Sequence, residues 1–308
     1  MLHQHYQFGC SQAAFDVRSN PNVTQSFREI FRTDKLTSSV DGVAFGLAPE
    51  ITNRGWENKG WLHLDQALSR NNFECVQGWV TAEDIGEGDG TLRVLRGSHL
   101  FHEEFATTFS LQDHKSDWFK LTEEHVDWYV RKKGCAIVDI QCEAGSQVLW
   151  ESRTVHSGRS PVRGRENAAR CRYVIYTSYL PSNQINQQGI KKKKKAVSEG
   201  RMTSHWADGR KLFSKSPRTY GQPEIEMPEY EPPRLTRLGA ELFGWHDDVD
   251  SCPFLVGTRK RTRKSPWDKS EVVEQENVSE ENESGASSGG GAGGRKQLKC
   301  ATKSGGEN

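Results

Sequence analysis

Apolar and polar residues alternate over short runs along most of the chain, and turn-forming residues separate the runs. This is the pattern of many short strands rather than a few long helices. Residues 38–47, 73–80, 91–96, 135–140, 147–150 and 171–180 are read as strands. The glycine-rich acidic stretch 83–90 and the segment Glu143-Ala144-Gly145-Ser146 supply turns, 53–60 has the same turn-like density, and Pro181 ends the last strand. Residues 21–33 differ: Val23, Phe27, Ile30 and Phe31 recur at helical intervals, with Asn20 or Asn22 available as a cap, so an amphipathic helix is predicted there. Residues 101–134 mix aromatics with charges and are read as a helical or irregular excursion. No internal repeat is visible, and an all-β sandwich or barrel is expected.

On a strand, residues two apart share a face. In Trp61-Leu62-His63-Leu64-Asp65-Gln66 this sends His63 and Asp65 to one side, an imidazole nitrogen and a carboxylate aimed at the same point. Taken alone, a His-x-Asp pair is more often a polar pair on a strand than a metal site. His156, in Arg153-Thr154-Val155-His156-Ser157-Gly158, is the candidate third ligand. Two histidines and one carboxylate on one face make the triad that holds non-haem Fe(II) with coordination positions left open.

Composition adjusts this picture in a few places. A formal charge of +1 over 308 residues excludes a wholly basic nucleic-acid binder and an acidic solvating protein. The mean hydropathy of −0.78 is low for a packed domain, as expected when a polar tail dilutes an ordinary core. Seven scattered cysteines without a Cys-x-x-Cys pair form neither a disulfide framework nor a structural zinc site. With no apolar leader and no membrane-length run, an intracellular protein, cytoplasmic or nuclear, is expected. The five lysines Lys191 to Lys195 are read as a self-repelling exposed loop, and a second basic cluster begins at Arg259. Basic runs on solvated chain are usually just solvated, so a small molecule is the expected partner and nucleic acid the alternative.

In order, His63-x-Asp65, the block from Gly78-Trp79-Val80 through Gly90-Thr91-Leu92 to Gly97-Ser98-His99, Gly145 before an apolar strand, His156, and an arginine-bearing last strand resemble the phytanoyl-CoA dioxygenase family of Fe(II)/2-oxoglutarate oxygenases. The resemblance spans about residues 40–181. It implies a mainly β fold, a double-stranded β-helix (jelly roll) with flanking helices and a disordered C-terminal tail. It also implies a dioxygenase that hydroxylates a C–H bond, with Fe(II) and 2-oxoglutarate as cofactors and His63, Asp65 and His156 as ligands. Arg172, or else Arg170, would clamp the distal carboxylate of 2-oxoglutarate, a two-pronged contact suited to a guanidinium. Arg172 is preferred because Tyr179 stands seven positions on, where the family usually has an aromatic. Trp79 would lie beside the cosubstrate. The intact Asp65 implies oxygenation rather than halogenation.

The implied domain is 1–258, with a core of about 40–181 and a basic loop at about 188–200. Residues 259–308 form a basic, then Ser/Glu/Gly-rich tail. His99 is given a structural turn role, and His205 is read as a packed surface histidine rather than as part of a substrate mouth. The competing readings are a non-catalytic jelly-roll module acting through its basic loop and tail, and a cupin-type metal enzyme that does without 2-oxoglutarate.

Overall fold

The computed structural model describes residues 2–3, 6–53, 61–215, 223 and 226–256. These belong to one structural unit, Met1–Lys260; a second, Arg261–Asn308, lies outside them, as do the turn at 54–60 and the expected tail.

Two antiparallel sheets make up the core. The first contains β1 (Leu2–His3), β2 (Leu36–Ser38), β3 (Val43–Gly46), β5 (Val76–Thr81), β9 (Gln147–Glu151) and β11 (Arg172–Pro181), in the order β1-β3-β11-β5-β9 with β2 pairing β11. The second contains β4 (His63–Leu64), β6 (Thr91–Arg96), β7 (Phe119–Lys120), β8 (Ala136–Asp139) and β10 (His156–Arg159), in the order β7-β4-β10-β6-β8. Successive strands alternate between the sheets over most of the core, so each sheet pairs strands distant in sequence. That is the double-stranded β-helix, or jelly roll.

Period-2 alternation divides each strand between two environments. Leu62 and Leu64 face outward, packing with Leu95, Phe105 and Tyr129 under α4 (His102–Thr108) and α5 (Glu123–Asp127). His63, between them, faces the other way. On β5, Val76 joins Phe15, Phe27, Tyr179 and Phe243 on the outer side, beneath α1 (Gln12–Arg18), α2 (Pro21–Phe31), α6 (Gln187–Glu199) and α7 (Arg237–Ala240). Trp79, Leu92, Trp150 and Val174 fill the space between the sheets. α2 follows its sequence signals: the Asn20 side chain accepts from the Asn22 N–H, and Pro21 occupies the first turn, where its missing N–H costs nothing.

Two expectations are corrected. Residues 38–47 are not one strand but β2 and β3 with an irregular step between, where the buried Arg18 guanidinium takes the Asp41 carbonyl and shares the Gly42 carbonyl with the Tyr176 N–H. The lysine run is not a loop but the middle of α6. Asn186 caps that helix through the Gly189 N–H, and Gly200 ends it at φ 67°, a left-handed conformation open to glycine. Ile190, Lys193 and Val197 fall on its buried face at helical spacing. Lysine is a good helix former whose stem packs as hydrocarbon, so four heads remain nearer solvent while Lys193 is fully enclosed and donates to the Ser38 carbonyl.

Candidate metal centre and substrate cleft

Strands β4 and β10 are antiparallel neighbours, and their register sets His156 directly opposite His63. The two rings stand 4.4 Å apart, centroid to centroid. Asp65 Oδ2 lies 3.3 Å from His156 Nε2 and 3.7 Å from His63 Nε2. One ligand atom from each of the three residues falls within 4.8 Å of the others. The structure thus brings together the three residues singled out from sequence.

Neighbouring backbone fixes the orientation of both imidazoles. His63 Nδ1–H donates to the Trp61 carbonyl at 3.0 Å, and His156 Nδ1–H donates to the Thr154 carbonyl at 2.8 Å. A carbonyl only accepts, so each Nδ1 carries a proton and each ring turns its Nε2 toward Asp65. Trp61 stacks on His63 at 4.6 Å and is anchored by its own Nε1–H to the Gly158 carbonyl at 3.1 Å. Gln77, facing inward from β5, donates to Asp65 Oδ2 at 3.1 Å.

Electrostatics agree with this geometry. Burial pushes the Asp65 carboxyl up, but His205, His156 and His63 together hold it well below the usual carboxylate range. Burial, and then the charge of His63, pulls His156 down toward the neutral form. Burial also opposes charge on His63, yet the hydrogen bond and charge of Asp65 raise it overall. The site therefore offers one fixed negative charge and two inward-facing imidazole nitrogens. The 3.3 and 3.7 Å separations from Asp65 are near the about 3 Å expected between neighbouring ligand atoms of one ion, so the three residues would hold it from one side.

The triad opens on a cleft of about 850 Å³. Trp61, Trp118 and Phe213 provide apolar wall, and Arg172, Tyr176, Asp41 and His205 provide polar groups. The two candidate arginines are separated by their partners. Arg170 is committed to Asp89 at 3.2 Å, with Asp84 at 3.9 Å. Arg172, at the start of β11, faces no carboxylate, and its Nε is buried with no hydrogen-bond partner among the described residues. Burial raises the Tyr176 hydroxyl, opposed by the charge of Arg172 beside it.

Trp79 does not line the cleft. It is fully enclosed between the sheets, and its register partner Tyr176 reaches the cleft instead. His205 does line it, contrary to the surface role expected. Asp41 and Gln77 carried no local sequence signal at all.

Residues 11–161, which include all three members of the triad, match the family model for phytanoyl-CoA dioxygenase. Over that stretch, just under half of its length, the chain is similar to the phytanoyl-CoA dioxygenase family. Within the family's reach, Ava biosynthesis cluster protein O of Aspergillus versicolor is 28% identical over 198 residues, an alignment covering 61% of each chain. The chain therefore spans about three fifths of that relative's length. Among solved structures, a hypothetical protein of Escherichia coli is similar with a TM-score of 0.48 at 18% identity, over 66% of this chain and 62% of that one. EctD from S. alaskensis, solved with 2-oxoglutarate and 5-hydroxyectoine, is similar with a TM-score of 0.39 at 12% identity, over 58% and 56%.

Proposed function

We propose that the protein is a non-haem Fe(II)- and 2-oxoglutarate-dependent dioxygenase that hydroxylates a C–H bond of a small molecule. The observation that carries this reading is the convergence of His63 Nε2, His156 Nε2 and Asp65 Oδ2, each ring locked through its far nitrogen. Two imidazoles and one carboxylate suit Fe(II) and occupy one face of it. When bound, the iron would let O2 act as the oxidant, with 2-oxoglutarate oxidised to succinate and CO2 while one oxygen atom enters an unactivated C–H bond.

The chain's own contribution is positional. Arg172, whose Nε has no hydrogen-bond partner among the described residues, would grip the distal carboxylate of 2-oxoglutarate, while Arg170 stays with Asp89. Gln77 holds one Asp65 oxygen and so fixes the direction in which the carboxylate faces. Trp61 stacks over His63 and closes that side of the site to water. The catalytic domain is taken as residues 1–258, with 259–308 outside it.

Asp65→Ala and His156→Ala test the reading. Each is expected to lower bound iron after anaerobic reconstitution by at least about 100-fold in affinity, and to bring 2-oxoglutarate-dependent succinate release to the protein-free background. Iron content and succinate release at wild-type levels in either variant would remove the iron assignment.

A further inference from the structure

A second polar cluster lines the same cleft, and neither the triad nor the 2-oxoglutarate grip makes use of it. Asp41 sits on the step between β2 and β3, and His205 lies in the irregular chain after α6. Two hydrogen bonds stitch these distant stretches together: Thr203 N–H donates to the Val40 carbonyl at 2.7 Å, and Val40 N–H to the Thr203 hydroxyl at 3.0 Å. The stitching sets residue 41 beside residues 204 and 205. Arg18, fully enclosed, holds the same step from behind, donating to the carbonyls of Gly9, Asp41, Gly42 and Tyr176 at 2.6 to 3.2 Å.

The side chains so placed are not internally satisfied. Asp41 is 5% exposed and lines the cleft, with Oδ1 accepting from the Gly42 N–H at 2.6 Å and no cation bonded to its carboxylate among the described residues. His205 Nε2 and Ser204 Oγ are both closed to bulk water, and neither has a partner among the described residues. Polar groups enclosed in a protein are nearly always paired, and leaving them single is costly, so two unpaired groups beside the Asp41 carboxylate on one cleft wall call for a ligand. The rest of the cleft near them is aromatic: Trp61, Trp118, Trp206 and Phe213.

We propose that Asp41 and His205, with Ser204 beside them, form the polar anchor of the cleft and recognise a hydroxyl group on an otherwise apolar, ring-bearing substrate. A hydroxyl donates one hydrogen and accepts another. Here it donates to the Asp41 carboxylate and accepts from the His205 imidazole N–H, which fixes the scaffold that the aromatic walls enclose. Burial raises the Asp41 carboxyl, and His205 is the strongest influence opposing it, so the two groups act on one another across this spot. The proposal depends on the cleft being the substrate site, as proposed above, but not on which metal the triad holds.

The test is a binding measurement on the full chain without iron or 2-oxoglutarate, so its failure and that of the iron assignment are separate events. Three probes of one skeleton are compared by calorimetry and saturation-transfer NMR: 2-naphthylmethanol, 2-methylnaphthalene and 2-naphthylmethylamine. The wild-type chain is expected to bind the alcohol about tenfold tighter than the hydrocarbon. His205→Phe should bring the two within about twofold while retaining hydrocarbon binding. Asp41→Asn keeps the Gly42 contact but turns the free acceptor into a donor, and should cut the preference to about threefold. It decides the matter should His205→Phe fail to fold, which thermal melting reports. An alcohol preference absent from the wild type, or unchanged in both variants, overturns the proposal. So does tenfold tighter binding of the amine than of the alcohol, which would make the cluster a clamp for cations.

Discussion

The cleft has two kinds of wall. On the strand wall, β4 with the bend after it and β10 present His63, Asp65 and His156, each held by backbone or, for Asp65, by Gln77 of β5. On the wall built from the 39–42 step and the chain after α6, the backbone is just as firmly held, but His205 and Ser204 end in atoms without partners among the described residues. The contrast separates two tasks. A group that must present lone pairs to a small ion is best fully pre-oriented, since any freedom dilutes ligand geometry. A group that waits for an organic ligand keeps its hydrogen-bonding capacity open, and what must be rigid is the chain carrying it.

Removing the support of the second wall should have the largest effect. Arg18 satisfies four buried carbonyls with one guanidinium. Arg18→Met removes this donor from all four, leaving the Gly42 carbonyl with the Tyr176 N–H, and should lower unfolding stability by about 3–5 kcal/mol, read from urea denaturation. A loss below about 1 kcal/mol would show that the step does not depend on this residue. Next comes the arginine between the walls. Arg172→Gln should raise the KM for 2-oxoglutarate by about 30- to 100-fold, the worth of a charge-assisted pair, while Arg170→Gln changes it by less than about threefold. The reverse order would reassign the grip to Arg170.

How legible each wall was from sequence follows from the range of the interactions that build it. His63 and Asp65 announce themselves because strand period is local: one apolar residue between two polar ones fixes their shared face. His156 was found by its place after an apolar strand, and the arginines by theirs on the last. The second wall is assembled by contacts that leave no local trace. The bond from Val40 to Thr203 joins residues 163 apart, and nothing in either stretch says that they meet. His205 therefore looked like a surface histidine. Arg18 sits in α1, a helix of seven residues too short to show a clear period, and its carbonyl partners come from three other parts of the chain. The lysine run misled for a related reason. Five like charges suggest a solvated loop, and only a carbonyl supplied by β2 makes a place for the one that turns inward.

On the strand wall, Gln77 provides a finer test of pre-orientation. Gln77→Leu deletes the bond to Asp65 Oδ2 and leaves that oxygen free to turn. Iron affinity, measured by competition with a chelator, should fall by about tenfold. An unchanged affinity would mean that the two histidines alone hold the carboxylate in place.

The smallest effect should come from Lys193, and its sign depends on pH. Burial lowers this ammonium from its ordinary 10.5 to about 7, opposed by the charge of Asp208 and reinforced by that of Arg18. Between pH 7 and 10.5 the unfolded chain therefore binds the proton more fully than the folded one, so this residue's contribution to stability rises with pH across that window. Below about pH 7 the folded protein carries the buried charge at full cost. Lys193→Met removes that cost, but it also removes the donor to the Ser38 carbonyl, so the two changes partly offset. The variant should be more stable than the wild type by about 1 kcal/mol at pH 6, seen as a few degrees in Tm. The difference should shrink toward zero, or change sign, by pH 10, where the folded wild-type lysine is neutral and no buried charge weighs against it. A difference in Tm that stays flat from pH 6 to 10 would show that Lys193 keeps its ordinary proton affinity inside α6, and that the second wall tolerates a buried charge as readily as the strand wall does.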